Sequence, residues 1–477
     1  MMKIKYFLVA ALAILGLAGC SDAQNDFPEV DSGEVKGYLS LRLTGDVNTR
    51  TSEGSEGTDG GIPAESTITG VTVLIANNAG LVTSVHHPSI TGVQTEAFKV
   101  SLGTHYVYAL VNNPGISIVA DVTNINDVVE AVTSAAEATS GYKNGKFLMV
   151  NARNSSTELG GVPVNITSNH TITTPAPVTI KVDRVAAKIT DITTTPTVTS
   201  LANSTANFVT GVDVDGYVLL NVRKEFNVLQ KWGYNNYSNG APLNYEVLVG
   251  VPFESSPTIL VKDKFFHHIG EYTQLVKDGG GVITEINNIS SSAAYTATDK
   301  YMTENRPEIK FYGTDEITAG RGVTSGVIYR VQAKNGGGDL PTFYVYKEEI
   351  FASRTALEAH EDFDGVTLPT AAGELRGKGI KVYENGVMYY TYFIKDPNVA
   401  HTYGGKDYYG VFRNSIYKLN ITSIKDLGDD VPGGGTVDPE EPGTGEPGNP
   451  DIDTEEAYIQ VTVTINPWVL NTINIEF

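Results

Sequence analysis

YIQVTVTINPWVLNTINIEF, residues Tyr458 to Phe477, closes the chain. Its first half alternates apolar residues with Gln and Thr, the period of a β-strand with one apolar face. The apolar positions of this half are Ile459, Val461, Val463 and Ile465. After Asn466-Pro467 breaks the run, a second apolar series follows: Trp468, Leu470, Ile473, Ile475 and Phe477. Chain termini are usually polar and frayed. A terminus as apolar as this one therefore predicts strands that are bound to another protein segment.

The segment before this pair has a different composition. Residues 429–457 begin DDVPGGGTVDPEEPGTGEPGNPDIDTEE, rich in glycine, proline and acid and without periodicity. Such a segment is too polar to bury a core and is extended by its prolines and charges. It is predicted to be a linker for the strands at 458–477, which either reach a neighbouring subunit or fold back into their own domain.

Composition predicts an all-β protein of more than one domain. The chain has 477 residues, with 49 Gly, 21 Pro and 25 Tyr, and few segments have helical periodicity. The net charge of −21 argues against nucleic acid as a partner, because two anions repel each other. The single cysteine, Cys20, excludes a disulfide framework and a cysteine metal site.

The N-terminus reads as an export signal. Lys3 and Lys5 precede an apolar run from Tyr6 to Leu15, and Leu17-Ala18-Gly19 lead directly to Cys20. A basic start, a short apolar middle and small residues before a cut site are typical of a secretory signal. Small residues before a cysteine resemble the bacterial lipobox. Residues 1–20 are therefore predicted to be a lipoprotein signal, with Cys20 carrying acyl chains such as palmitate that hold the precursor on the outer membrane.

A second strand pattern lies near the start of the mature chain. Residues 35–43 read VKGYLSLRL and place Leu39, Leu41 and Leu43 on one face, the same pattern as Ile459 to Ile465. Residues 45–63, GDVNTRTSEGSEGTDGGIP, have the composition of a solvated loop of the kind that proteases cut. Arg50 is the only basic residue between Arg42 and Lys99, so a trypsin-like protease has one target there.

These features combine into a hypothesis of assembly. Cleavage between Arg50 and Thr51 would free the strand with Leu39, Leu41 and Leu43 and would release the subunit from its lipid anchor. The strand of another copy, with Ile459, Val461, Val463 and Ile465, could then fill the vacated groove by β-augmentation. A head-to-tail contact of this kind builds filaments unless geometry closes it into a ring.

The chain resembles a Bacteroidetes-type fimbrillin, a major fimbrial shaft subunit of the FimA/Mfa superfamily. The resemblance rests on the lipobox, the early strand with Arg50, and several further segments: HYVYALVN (105–112), VDRVAAKI (182–189), RNSIY (413–417), VTV (461–463) and Pro467-Trp468. It implies export as a lipoprotein with Cys20 lipidated, cleavage after Arg50 by a trypsin-like protease, and polymerisation through a C-terminal donor within Ile459–Phe477. The unusually long linker after Asp429 departs from the family pattern.

The rest of the chain reads as two β-sandwich domains with short helical insertions. Domain boundaries are predicted as a propeptide at 21–50, an N-terminal domain at 51–192 and a C-terminal domain at 193–428, the junction lying near Pro196. The helical insertions are expected at Asn126–Ala136, with Asn126 as N-cap, and at Arg354–Ala359. The many tyrosines are interpreted as packing residues, although an aromatic surface for a glycan is the alternative.

No motif indicates enzyme chemistry or a cofactor. His86-His87 and His267-His268 are adjacent pairs whose members point to opposite faces of a strand, which disfavours a shared metal. Two functions remain open. One is the polymerising shaft subunit of a surface fimbrium, which binds other copies of the chain and serves adhesion or biofilm formation. The other is a monomeric, anchored surface lipoprotein, either a tip or anchor subunit or a glycan-binding protein.

Overall fold

The computed structural model describes residues 36–45, 61–132, 137, 142, 146–152, 160–198, 201–203, 206–234, 246–248, 265–268, 274–277, 283–287, 295–305, 309–312, 316–319, 324–394, 409–432 and 459–467. The strands of the first part are β1 (Lys36–Gly45), β2 (Val71–Ala76), β3 (Val82–His86), β4 (Ile90–Thr91), β5 (Gln94–Thr95), β6 (Phe98–Ser101), β7 (Gly103–Val111), β8 (Val129–Ala131), β9 (Met149–Asn151), β10 (Val162–Ile166) and β11 (Ala176–Arg184).

The strands that follow are β12 (Ala186–Asp191), β13 (Thr197–Val198), β14 (Leu201–Asn203), β15 (Ala206–Val209), β16 (Gly211–Arg223), β17 (Glu225–Asn227), β18 (Trp232–Tyr234), β19 (Glu246–Leu248), β20 (Phe265–His268), β21 (Gln274–Lys277), β22 (Ile283–Asn287), β23 (Lys300–Thr303), β24 (Ile309–Tyr312), β25 (Glu316–Ala319), β26 (Gly326–Asn335), β27 (Gly338–Asp339), β28 (Phe343–Tyr346), β29 (Glu349–Phe351), β30 (Lys381–Tyr383), β31 (Val387–Phe393), β32 (Ser415–Ile424) and β33 (Ile459–Pro467). Short α-helices span Arg354–Glu358 and Ala372–Arg376, and 3₁₀ turns span Pro63–Ser66, Ile125–Asp127, Glu361–Phe363 and Glu384–Gly386.

The first sheet has ten strands. Their order is β3-β2-β7-β9-β11-β1-β5-β4, with β10 paired to β7 and β6 paired to β1. Both faces of this sheet are covered, because alternate residues of one strand enter different cores. In β2, Val71, Val73 and Ile75 face one core while Leu74 and Ala76 face another. Successive side chains of a strand point to opposite faces of the sheet, and in β2 both faces are buried.

We call the first of these clusters the β1 core. It consists of Leu39, Leu41, Leu43, Val71, Val73, Ile75, Val100, Val107, Ala109, Val111, Phe147, Met149, Ile166, Ala176, Val178, Ile180, Val182, Ala186 and Ile416. All three leucines of β1 in this cluster have no solvent exposure. The pattern that predicted an apolar face for this strand is therefore confirmed.

Further sheets begin beyond Val185, the residue between β11 and β12. The second sheet has the order β13-β32-β12-β23, with β33 paired to β32. The third has the order β20-β16-β26-β27, with β31 paired to β26. A smaller sheet, β29-β28-β30, packs with the helices Arg354–Glu358 and Ala372–Arg376 around its own core, which includes Leu357, Leu368 and Leu375.

The all-β class predicted from composition is confirmed, and so is a short helix at Arg354–Glu358, where Ser353 caps the N-terminus by accepting from the amide of Ala356. The helix predicted at Asn126–Ala136 is wrong where the structure describes it. A 3₁₀ turn is capped by Asn124 instead of Asn126, and β8 then pairs antiparallel with β17. The β-branched valines around β8 favour this extended pairing over a helix.

The predicted packing role of the tyrosines is confirmed for most of those in the strands of the second and third sheets. Tyr217, Tyr329 and Tyr417 have no exposed surface, and Tyr389 and Tyr390 are buried side by side in β31. The domain boundaries proposed from the sequence stay a prediction. The first sheet is built from residues up to Arg184, and the second begins at Ala186.

Gly37 in β1 offers a test of how closely this strand is packed. A Cβ at this position would lie 2.5 Å from Cγ2 of Ile166 and 2.8 Å from the carbonyl oxygen of Thr167. We expect Gly37→Ala to lower the free energy of unfolding of the uncleaved chain by about 1–3 kcal/mol, because overpacking forces neighbours to move. Thermal unfolding of protein that starts after Cys20 measures the change.

The matched control is Gly70→Ala, at a position just before β2 where an added Cβ meets nothing within 4 Å. This variant should unfold at the temperature of the unchanged protein. Equal unfolding temperatures for both variants would contradict the close packing of β1.

Candidate functional site

β1 lies inside the first sheet and not at its edge. On one side it runs parallel to β11, with Leu39 opposite Ala176 and Leu43 opposite Ile180. On the other side it is antiparallel to β6 and touches β5, where Arg42 faces Gln94. If β1 left, it would open a slot with a hydrogen-bonding rim on each side and the β1 core as its floor. We call this slot the β1 groove.

The rim on the β5 side supplies polar contacts in addition to the ladder. The amide of Leu41 donates to Oγ1 of Thr95 at 2.9 Å, and the amide of Leu43 donates to the carbonyl of Val93 at 2.9 Å. Ser40 donates through Oγ to the carbonyl of Thr95 at 3.2 Å and accepts from Gln94. Backbone groups of any strand in this groove therefore find partners on both sides, as a buried strand requires.

The 3₁₀ turn Pro63–Ser66, which follows residues 46–60, is anchored in the interior of the protein. Glu65, in the 3₁₀ turn Pro63–Ser66, is 1% exposed. Its carboxylate accepts from the amide of Ile62 at 2.8 Å and from the hydroxyl of Tyr301, and it lies 3.0 Å from Nζ of Lys188. The carbonyl oxygen of Glu65 accepts from Nε of Arg184 at 2.8 Å.

Glu65, Arg184, Lys188 and Tyr301 form what we call the Glu65 cluster. It joins the end of β11 to the start of β12 and to β23, so it fastens the turn Pro63–Ser66 to both sheets. Lys188 has a second partner, Asp299, at 2.7 Å. Buried charges are stable only when they are paired and hydrogen-bonded, which this arrangement provides.

The electrostatics of the cluster follow from its burial. Burial lowers the pKa of Arg184 to about 10, against the opposing effect of the Glu65 and Asp183 carboxylates. Burial also acts to lower the pKa of Lys188, but hydrogen bonds to Asp299 and Glu65 outweigh it and raise the pKa above its ordinary value. For Tyr301, burial and then the hydrogen bond to Glu65 raise the pKa. The lysine and the tyrosine therefore keep their protons throughout the physiological range.

The RNSIY segment has a comparable structural role. Arg413 forms an ion pair with Glu304 through Nε at 2.9 Å and Nη2 at 2.5 Å, and it also donates to the carbonyls of Asn227 and Val228. Asn414 accepts from the amide of Arg184 at 3.2 Å. The two arginine motifs thus meet in the interior, and both serve packing between distant segments of the chain.

The C-terminal strand pairs with the second sheet. β33 runs antiparallel to β32, with Ile465 opposite Tyr417, Val463 opposite Leu419 and Val461 opposite Ile421. Ile459 faces Ile424 at the end of the ladder. Of the two arrangements left open by the sequence, the single chain therefore has the part Ile459–Pro467 folded back on its own β32.

The start of the predicted linker is bound to the body of the protein. The carboxylate of Asp430 accepts from Nε of Arg376 and from the amide of Val382, both at 2.7 Å. Asp429 exchanges two backbone hydrogen bonds with Tyr389. The segment that leads to the tail therefore departs from a fixed point beside β30 and β31.

The predicted site residues form three groups: one in the first sheet, one in the second sheet, and one outside the described residues. Leu39, Leu41 and Leu43 occupy the β1 groove in the first sheet, and Ile459, Val461, Val463 and Ile465 belong to β33 in the second. The remainder lies outside the described residues: Cys20, Arg50, Thr51, Trp468, Leu470, Ile473, Ile475 and Phe477. Within one chain the structure does not bring the groove and the tail strand together.

The sequence did not reveal Glu65, Glu304 or Asp299, the acidic partners of the buried cations. Each is separated by more than a hundred residues from the residue that pairs with it, and no local pattern marks it. Among the described residues no cluster of His, Cys, Asp and Glu is placed to hold a metal ion. No helix in that part of the chain is long and apolar enough to cross a membrane.

The C-terminal region matches a known family. Residues 381–474 match the family described as major fimbrial subunit protein type IV, fimbrillin, C-terminal, a span that runs from β30 past β33. Over these residues the match confirms the resemblance to a fimbrillin predicted from the sequence. A search of curated protein sequences gives no match.

Solved structures of low identity are similar along most of the chain. A putative cell adhesion protein from Bacteroides eggerthii is 15% identical, with 91% of this chain and 97% of that chain covered and a TM-score of 0.40. A fimbrilin from Porphyromonas gingivalis is 14% identical, with 91% and 98% covered and a TM-score of 0.41. The C-terminally truncated tip fimbrial protein Mfa3 of that organism is 15% identical, with 91% and 100% covered and a TM-score of 0.37. At these scores the likeness adds nothing to the family match.

The Glu65 cluster can be tested by a charge-removing substitution of nearly equal volume. We expect Glu65→Gln to lower the free energy of unfolding by about 1.5–3 kcal/mol, because Lys188 then loses one of its two described carboxylate partners and keeps Asp299. Denaturant unfolding of the protein measures the loss.

Glu358→Gln is the control, since it removes an exposed partner of Arg354 in an i,i+4 ion pair. Pairs of this kind contribute about 0.3–0.5 kcal/mol. If the two substitutions had equal effects, the buried cluster would not be the contact that fastens this turn.

Proposed function

We propose that this chain is a polymerising shaft subunit of a cell-surface fimbrium that assembles by strand exchange after proteolysis. The family match supports the coarser part, a structural subunit of a fimbrium and not an enzyme. The observation that carries the finer part is the position of β1, a central strand whose three leucines are fully buried and whose covalent connection to the rest of the domain runs only through residues 46–60. Arg50 lies in that connection.

In the proposed pathway the precursor is exported with its lipid on Cys20 and is held on the outer membrane. A trypsin-like protease cuts between Arg50 and Thr51, and the fragment that carries both the lipid and β1 departs. Each buried leucine of β1 contributes about 1.5–3 kcal/mol, so the vacated groove favours binding of another apolar strand. The Glu65 cluster supports this scheme because it fastens the chain beyond the cut.

The strand that fills the groove is proposed to come from the C-terminal segment of a second copy. β33 lies at the edge of its own sheet, with β32 as its sole described neighbour strand. Releasing it breaks one ladder, whereas insertion between β11 and β5/β6 would form two. The gain of a second ladder and of the β1 core favours the exchanged state once β1 has gone. Repetition of this contact extends a filament on the cell surface.

A second function is favoured by one observation. In the single chain β33 pairs with β32 along its whole length of nine residues. If β33 stays paired with β32, it is not available to another subunit. The chain would then be a monomeric, anchored surface lipoprotein, such as a tip or anchor subunit or a glycan-binding protein. Assembly experiments separate the two.

Arg50 is the residue to change first. Protein starting after Cys20 is treated with trace trypsin, and its new N-terminus is read by mass spectrometry while assembly is followed as SDS-resistant ladders. We expect Arg50→Ala to abolish both the cut and the ladders, because β1 then stays in place. Arg50→Lys, which trypsin still cleaves, should restore both. A clean cut without ladders in the unchanged protein would favour the monomeric function.

The C-terminal segment is tested by deletion. Removing 458–477 should leave a folded protein that is cut normally and forms no ladders, since no donor strand is present. A shorter deletion of 468–477 keeps Ile459–Pro467 and shows whether that strand suffices. Filaments from the full deletion would refute the donor assignment, and circular dichroism of both truncations checks that the fold is retained.

A further inference from the structure

β1 and the start of the C-terminal segment share a residue pattern that goes beyond alternation. Residues 37–43 read GYLSLRL, and residues 457–463 read AYIQVTV. Both series run small, tyrosine, aliphatic, polar, aliphatic, polar, aliphatic. Tyr38 and Tyr458 fix the alignment, because neither 35–45 nor 456–477 contains another tyrosine.

We propose that the tail of a second copy enters the β1 groove in the register set by this match, in the direction of β1 and therefore parallel to β11. This inference rests on the strand exchange proposed above and specifies it residue by residue. Ala457 takes the place of Gly37 and Tyr458 that of Tyr38. The three leucine sites 39, 41 and 43 are filled by Ile459, Val461 and Val463.

The site of Gly37 selects against other registers. A Cβ there would lie 2.5 Å from a methyl group of Ile166 and 2.8 Å from a backbone oxygen, so only glycine fits without movement, alanine requires these neighbours to shift, and every larger residue requires a larger shift. Ala457 is the smallest residue between Glu456 and Phe477, a span without glycine. A shift of the donor by two residues one way would press Ile459 against this wall. A shift the other way would put Ala457 at the Leu39 site and leave a cavity.

The remaining positions agree with the same register. The sites of Leu39, Leu41 and Leu43 are closed to solvent and receive aliphatic side chains of equal or slightly smaller volume. The Arg42 site is exposed and receives Thr462. The Ser40 site is buried, and the larger Gln460 requires Gln94, which donates to Ser40 and is itself exposed, to turn outward.

Disulfide trapping measures the register directly. Cys20, the one cysteine of the chain, lies before the cut at Arg50, so the processed subunit has no thiol of its own. Arg42 on β1 faces Gln94 on β5, and both are exposed. Facing residues of antiparallel strands have Cα atoms about 4.5–5.5 Å apart, within the range of a disulfide. The proposed register puts Thr462 of the incoming strand opposite Gln94.

The experiment uses protein that starts after Cys20 and carries Gln94→Cys together with one cysteine in the tail. After trypsin treatment and mild oxidation, Thr462→Cys should give the intersubunit 94–462 disulfide, detected as a linked peptide by mass spectrometry. Gln460→Cys and Thr464→Cys are matched controls, displaced by two residues to about 7–8 Å, and should give at least tenfold less. In uncut protein, Arg42→Cys with Gln94→Cys should form an internal disulfide, which verifies the geometry.

The outcomes separate the register from the exchange itself. Ladders with the disulfide at 460 or 464, or ladders with none, would overturn the register and leave strand exchange intact. Cut protein that forms no ladders would overturn the proposed function and the register with it. An independent readout is the rate of ladder formation, which should be several-fold slower for Ala457→Val than for Ala457→Gly. Equal rates would contradict the role of the Gly37 site.

Discussion

The central position of β1 is the constraint on which the rest of the structure depends. When an edge strand leaves a sheet, the hydrogen bonds to one neighbouring strand are lost. β1 instead pairs with strands on both sides, and its three leucines, which have no solvent exposure, cover the β1 core. Its loss would be incompatible with a folded domain unless a replacement followed or the remaining chain were fastened elsewhere. The Glu65 cluster provides such fastening, because it fixes the turn after the loop to β11, β12 and β23 without using any atom of β1.

The buried charges and the apolar strands therefore have different tasks. Lys188 with Glu65 and Arg413 with Glu304 are specific ion pairs between segments far apart in the chain, and removing one partner of either pair leaves the other as an unpaired buried charge. The alternating apolar strands are less specific contacts, because in the proposed exchange a strand of matching spacing and volume takes the place of β1. The buried ion pairs would then hold the rest of the fold while that strand is replaced.

Much of this architecture can be predicted from the sequence. What could not be predicted depends on contacts between segments that are distant in the chain. Period-two alternation predicted β1 and β33 because it is a local property of the pleat. The helix expected at Asn126–Ala136 failed because valines that fit either period found a partner in β17, which the local sequence does not contain. The acidic partners of Lys188 and Arg413 could not be predicted for the same reason. That β1 runs parallel to β11, and that the tail returns to β32, likewise depend on contacts between segments that are distant in the chain.

The junction at Val185 has a mechanical consequence. β11 continues into β12 through this one residue, β12 lies beside β32, and the groove lies beside β11. In a filament built by the proposed exchange, tension entering through a donor strand would act along β11 and pass through the Arg184 and Lys188 anchors into the second sheet. A pull along paired strands loads many hydrogen bonds in shear at the same time, whereas a pull across them would open the bonds one after another. In the proposed filament, a donor strand pulled along its own length would therefore be held by many hydrogen bonds at once.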